Sequence, residues 1–195
     1  MSHDISFESP TDRNQLVVPP SERDYRQGSL NARVVLVEYG DYQCPSCGEL
    51  HTLIKIIQRQ LDAILAEENH LCFVFRQFPQ PQIHHHAKKA AMAAAAAGAQ
   101  GQFWQMHDML FNHQQALRDS CLVEYANYLG LNVPQFLQDI FKRVHSDRID
   151  QDIESGLRSG VTVAPTLFVN GIQYADRWSI EQLIVAISTA SSQGF

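Results

Sequence analysis

The sequence predicts an α/β domain with an all-helical insertion, and three observations carry that prediction. A β-branched run, Val34–Tyr39, leads through Gly40 and Asp41 into a long amphipathic stretch, and a second strand-like run follows at 71–78. Residues 82–160 then show helical periodicity with little strand signal. Strand character returns at 165–169, followed by Asn170-Gly171, the strongest short hairpin signal, and a last amphipathic stretch.

Each element follows from its residues. Leu50, Leu53, Ile54, Ile57, Leu61, Ile64 and Leu65 recur at helical spacing and give a helix over about 45–66 one apolar face. Pro79 and Pro81 stop the second strand, and strand-helix-strand in that order implies a right-handed parallel crossover. In the insertion, the Ala-rich run closes at Gly98 and Gly101, Phe103–Phe111 is amphipathic, and 119–129 ends at Gly130. Asn132 can cap a helix carrying Pro134 in its first turn, and Gly160 ends the helix whose face is Ile149, Ile153 and Leu157. Ile172–Ala175 should pair back antiparallel on 165–169, and Ser179 with Gln182 forms a capping box for the final helix. Residues 1–30 read as a polar N-terminal extension, extended near Leu16–Val18. The remaining boundaries are 31–81 with 161–195 for the α/β unit and 82–160 for the helical insertion.

The 195 residues suffice for a well-buried core without staples. A formal net charge of −6, with no block of adjacent Lys or Arg longer than two, argues against nucleic acid and anionic membrane surfaces as partners. No secretory signal or membrane-spanning run is visible, so a cytoplasmic chain is expected, and two isolated cysteines suit a reducing compartment.

Chemistry concentrates in Cys44-Pro45-Ser46-Cys47, placed where a strand hands over to a helix. Helix starts offer unpaired N–H groups and the positive end of the dipole, both of which stabilise a thiolate on Cys44. Cysteines in such motifs have pKa values of roughly 3.5 to 7, against about 8.5 when free. Pro45 suits the first turn, and Cys47 lies one turn on, within reach of Cys44. A zinc site would need two more ligands at ligand spacing, and Cys72 and Cys121 stand alone, reading as buried, inert thiols. A structural disulfide would close too small a loop to constrain the unfolded chain. Glu38, in an otherwise apolar strand, is either a buried proton relay with a raised pKa or a solvated edge residue. His84-His85-His86 read as solvated residues at a helix start rather than a metal site. His107, Phe103 and Trp104 read as helix-packing residues.

Taken together, the run Val37–Cys47, Phe103–Asp108, and Gly160-Val161 leading into Ala164–Gly171 resemble the DsbA-like branch of thiol:disulfide oxidoreductases, over about residues 28–190. The resemblance implies a thioredoxin fold with a helical insertion. It implies an exposed nucleophile at Cys44, a resolving thiol at Cys47, a cis-proline at Pro165 and a proton-transferring acid at Glu38. It also implies that Ala164 and Pro165, with Pro45 and Ser46, contact the substrate. The central dipeptide is Pro-Ser, where the family's strongest oxidases carry His at the second place. The expected function is thiol:disulfide exchange through a mixed disulfide, with no cofactor and no metal beyond the cysteine pair itself. Expected partners are protein or small-molecule thiols and disulfides and a recycling reductant or oxidant, with the chain a monomer. Two other readings remain: a redox sensor or binding module, and a glutathione-dependent transferase or isomerase, against which retention of both cysteines argues.

Overall fold

The computed structural model describes residues 15–64, 70–175 and 179–192. Among these the order is β1 (Tyr25–Gln27), β2 (Val34–Gly40), α1 (Pro45–Ile64), β3 (Leu71–Gln77), α2 (Ala87–Gly98), α3 (Phe103–Asn112), α4 (Asp119–Tyr128), α5 (Val133–Phe141), α6 (Ser146–Arg158), β4 (Thr166–Val169), β5 (Ile172–Gln173) and α7 (Ile180–Ser192). The sheet runs β1-β3-β2-β4-β5. β2 and β3 are parallel, as the strand-helix-strand order requires, and β4 lies antiparallel to β2 with Glu38 opposite Leu167. Asn170 and Gly171 both have positive φ, 47° and 81°, the geometry of a tight hairpin turn, and β5 returns antiparallel on β4.

β2 and β3 are buried on both faces, so they read as continuous apolar runs rather than alternating ones. Alternation still sorts their side chains. Val37 and Tyr39, with Cys72, Val74 and Phe168, pack toward one face, which Ile153 of α6 helps to cover. Leu36, Phe73 and Phe75 face the other side, where Leu50, Ile54 and Ile57 of α1, the alanines of α2, and Leu183 and Ile187 of α7 meet them. By the same period Glu38 shares the α1 face, the side on which the cysteines lie. The alanine run of α2 is almost wholly buried, small side chains letting neighbouring helices approach closely. Asn132 caps α5 as expected, its Oδ1 accepting from the Gln135 N–H at 3.1 Å, and Ser179 Oγ accepts from the Gln182 N–H at 3.2 Å.

Of the extension expected over residues 1–30, residues 1–14 lie outside the described residues. Gln15 forms an isolated bridge to Ile172 on the sheet edge, beside the anticipated extended segment. Tyr25–Gln27, three residues of mixed character with no visible strand pattern, pair antiparallel with β3 as the opposite edge. Tertiary contacts hold them there: Tyr25 stacks on Phe103 at 3.5 Å, and the Trp104 Nε1–H donates to the Arg26 carbonyl at 3.1 Å. Buried Arg76 of β3 supplies the main staple. Its guanidinium donates to Asp24 at 2.8 and 3.3 Å, to the Val18 and Pro19 carbonyls, and to the Tyr39 hydroxyl. We expect Arg76→Ala to lower the unfolding free energy by about 3–5 kcal/mol in denaturant titrations, because Asp24 is left buried and uncompensated.

Candidate active site: the cysteine pair and the loops around it

β2 ends at Gly40 because nothing larger fits. A Cβ there would collide with the Phe75 ring and lie 2.8 Å from Glu38 Oε1. The chain then turns through Asp41–Gln43 into α1, with the Cys44 N–H donating to the Asp41 carbonyl at 3.1 Å. Pro45 and Ser46 stand exposed at the helix start, and Cys47 is fully buried one turn on. All four cysteines are free thiols.

The two sulfurs differ sharply. The Cys47 thiol, hydrogen-bonded to Cys44, is the largest influence lowering the Cys44 pKa from 9.0 to about 6. Burial opposes it, the N–H groups of Cys47 and Ser46 reinforce it, and the negative charge of Asp41 works against it. The helix-start amides therefore act as the sequence reading requires, but second to the partner thiol. Burial pushes Cys47 well above 9.0, and the Cys44 hydrogen bond and the Glu38 and Cys44 charges add to that; its sulfur accepts from the Asp41 N–H at 3.4 Å. At pH 7 one sulfur is mostly thiolate and the other a thiol.

Glu38 is 1% exposed, so the solvated-edge reading does not hold. Neither carboxylate oxygen has a hydrogen-bond partner. Burial first, and the Cys44 charge second, raise its pKa from 4.5 to about 8.

The Ala164–Pro165 peptide is cis. The Ala164 carbonyl accepts from the Cys44 thiol at 3.3 Å, so the loop before β4 lies directly over the first cysteine. That contact corrects one expectation. Cys44 is only 7% exposed rather than openly presented. The loop covers it, while the flanking Thr162 and Val163 are exposed. Behind it the Gln114 carboxamide donates to the Tyr42 and Cys44 carbonyls at 2.9 and 2.7 Å.

Sequence reasoning missed a polar network beneath this loop. Asp41 is 1% exposed. Its Oδ1 accepts from the Gln43 N–H at 2.8 Å, and its Oδ2 from the Gln80 N–H at 2.8 Å with His84 Nδ1 at 2.9 Å. His84 is thus not a solvated residue at a helix start. It is held inward by a buried carboxylate, a partner more than forty positions away that no local pattern reveals. The Gln80 carboxamide completes the network, its Oε1 accepting from the Ala164 N–H at 3.1 Å.

His107 is buried among Phe75, Phe103, Trp104 and Phe111, with its Nδ1 3.1 Å from the Tyr42 hydroxyl, and burial drives its pKa well down. His51, His107 and Asp108 bring ligand-type atoms within 4.8 Å of one another, but the Lys55 ammonium already sits 2.8 Å from Asp108 Oδ2. Cys72 is buried, and burial raises its pKa to about 11, in keeping with an inert thiol. Cys121 is half-buried rather than fully buried, packing against the edge of the core from α4.

A family model described as "Thioredoxin" matches residues 21–189. A Na(+)/H(+) antiporter NhaA 1 of Salinispora arenicola is 37% identical over 176 residues, 90% of this chain and 26% of that protein. A Na(+)/H(+) antiporter NhaA of Herminiimonas arsenicoxydans is 31% identical over 189 residues, 96% of this chain and 29% of that protein. The chain thus spans little more than a quarter of the curated relatives it matches, and no helix among its described residues is long and apolar enough to cross a membrane. Among solved structures, oxidised BdbD from Bacillus subtilis superposes with a TM-score of 0.76 at 19% identity, covering 92% of this chain and 99% of that one. Wolbachia pipientis alpha-DsbA1 gives 0.74 at 20% identity, covering 89% and 94%. A thioredoxin-like oxidoreductase from Silicibacter pomeroyi gives 0.73 at 23% identity, covering 88% and 94%. The chain belongs to the thioredoxin family, and its fold is that of the DsbA-like thiol-disulfide oxidoreductases.

Proposed function

We propose that the chain exchanges thiols and disulfides of protein or small-molecule partners through Cys44 and Cys47. The observation that carries this reading is the asymmetry of the pair, one sulfur near pKa 6 and its neighbour held as a thiol. The Cys44 thiolate attacks one sulfur of a substrate disulfide. A Cys44–substrate S–S bond forms, the substrate S–S bond breaks, and the departing thiolate takes a proton from water. Cys47 then gives its proton to the Glu38 carboxylate and attacks Cys44. The Cys44–Cys47 bond forms, the mixed disulfide breaks, and the second substrate thiolate leaves. Two electrons pass to the substrate; run backwards, the same steps oxidise a substrate dithiol. A recycling reductant or oxidant restores the pair. Thiolate stabilisation favours the reduced form and so makes the couple more oxidising, partly replacing what a histidine at Ser46 would supply.

The test is turnover of oxidised glutathione and of a disulfide-bonded model protein by the parent chain, with the potential of the couple read from glutathione redox buffers. Exchange no faster than free cysteine would end the reading. A redox sensor is the second reading. The 7% exposure of Cys44 favours it, as does similarity to part of proteins named as antiporters. A sensor would exchange slowly, yet change its affinity for a partner on oxidation.

A further inference from the structure

Ala164 offers two backbone groups beside Cys44, and both have internal partners while Cys44 is a thiol. Its carbonyl accepts from the Cys44 thiol, and its N–H donates to Gln80 Oε1 at 3.1 Å. The carbonyl frees itself in the reaction, because a thiolate or a disulfide sulfur has no proton to donate. The N–H does not. We propose that the Gln80 carboxamide is a displaceable stand-in for a substrate backbone carbonyl, which makes Gln80 a specificity-determining residue that separates polypeptide disulfides from small ones. This rests on the proposed thiol–disulfide exchange and adds to it that an extended substrate segment pairs with the Ala164 backbone.

The geometry around Gln80 suits that role. Its backbone is pinned: the N–H donates to buried Asp41, and the carbonyl accepts from the Ile83 and His84 N–H groups at 3.1 and 2.9 Å. His84 holds the same Asp41 oxygen from the other side. The carboxamide thus starts from a fixed point, and only its side-chain torsions must change for Oε1 to leave. The loop it caps is equally braced, the Thr166 hydroxyl donating to the Val163 carbonyl at 2.8 Å. Gln80 and Ala164 are both half-buried, and Thr162 and Val163 lie exposed beside them, so the loop presents an open edge to an incoming chain. An extended peptide carries a carbonyl at the spacing of a strand partner and replaces the Gln80 bond with an equivalent one. A disulfide without such an acceptor leaves the carboxamide in place and needs only Cys44.

Gln80→Met keeps the side chain's length and removes the acceptor, and Gln80→Ala removes both length and acceptor. Each is compared with the parent on two substrates: 2-hydroxyethyl disulfide, which carries no amide carbonyl, and a disulfide-bonded peptide with four or more residues on either side of its cysteine. With the competing acceptor gone, KM for the peptide should fall about two- to fivefold, the scale of one hydrogen bond exchanged for another. Rates with 2-hydroxyethyl disulfide, and the Cys44 pKa read from thiolate absorbance, should match the parent. An unchanged or higher peptide KM in Gln80→Met would overturn the proposal, as would an equal change on both substrates, which would place Gln80's influence on the cysteines. A parent that exchanges with neither substrate would sink the functional reading instead, so the two failures are distinct.

Discussion

Cys44→Ser should reduce disulfide exchange to the background of free thiols, whereas Cys47→Ser should stop after one event and accumulate a covalent adduct. The difference follows from the divided roles of the pair. A serine oxygen at 44 is neither ionised at neutral pH nor able to form a disulfide, so the first bond never forms. With serine at 47, Cys44 still attacks, but nothing displaces what it has captured. Intact-mass analysis after incubation with a disulfide-bonded peptide should show the added peptide on Cys47→Ser and none on Cys44→Ser. The Cys47 side chain has a second effect. Its hydrogen bond is the largest influence lowering the Cys44 pKa. Cys47→Ser keeps a donor, while Cys47→Ala removes it, so the alanine variant should move Cys44 from about 6 back toward 9.0 and the serine variant should move it less. Equal pKa values in the two variants would show that the helix-start amides, not the partner thiol, set the thiolate.

Much of this site is local in sequence, which is why it could be read there. The strand before Cys44, the proline after it, the one-turn spacing to Cys47 and the Asn170-Gly171 hairpin all act through near neighbours, and local pattern captures them. What escaped depends on tertiary partners. Tyr25–Gln27 is a strand only because β3 offers an edge and Arg76 and Trp104 hold it there. His84 looked like one of three solvated histidines, and only the folded chain brings Asp41 to it. Gln80, between two prolines, carried no signal at all, since a neutral amide in a loop is ordinary until its partner is known. The cover over Cys44 was hidden for the same reason, being made by a loop 120 residues downstream. Glu38 was the intermediate case. Its apolar neighbours signalled burial, while its lack of any hydrogen-bond partner is visible only in three dimensions.

Glu38→Gln should separate catalysis from stability, slowing the one and removing part of the pH dependence of the other. On the catalytic side, Cys47 must lose a proton from a thiol held well above 9.0, and in the proposed mechanism the buried Glu38 carboxyl, whose charge acts on that thiol, takes it. While Cys44 is a thiolate, its charge helps hold the proton on Glu38. Once Cys44 is consumed in the mixed disulfide that charge is gone, so Glu38 ionises more readily at the step that needs a base. A glutamine cannot accept the proton, and release of the mixed disulfide at pH 7 should slow by about 10²-fold or more, with the initial attack by Cys44 unimpaired. On the stability side the sign is fixed by the raised pKa. Between about 4.5 and 8 the folded state holds a proton on Glu38 that the unfolded chain has lost, so stability falls as pH rises through that window and levels off above it. The total is on the order of 5 kcal/mol, at about 1.4 kcal/mol per pH unit. In the reduced protein the depressed Cys44 pKa acts oppositely, adding stability as pH rises from about 6 to 9.0, and the two slopes overlap. The Cys44→Ser background removes that second titration and, with it, the smaller charge contribution to Glu38, leaving burial as the main cause. Denaturant titrations in that background from pH 5 to 8 should show a stability that falls more steeply with Glu38 present than after Glu38→Gln, the remaining slope belonging to other buried groups such as Asp152 and His107. Identical slopes with and without Glu38 would mean that the carboxyl finds water or a partner in solution, and would remove the basis for its use as a proton acceptor.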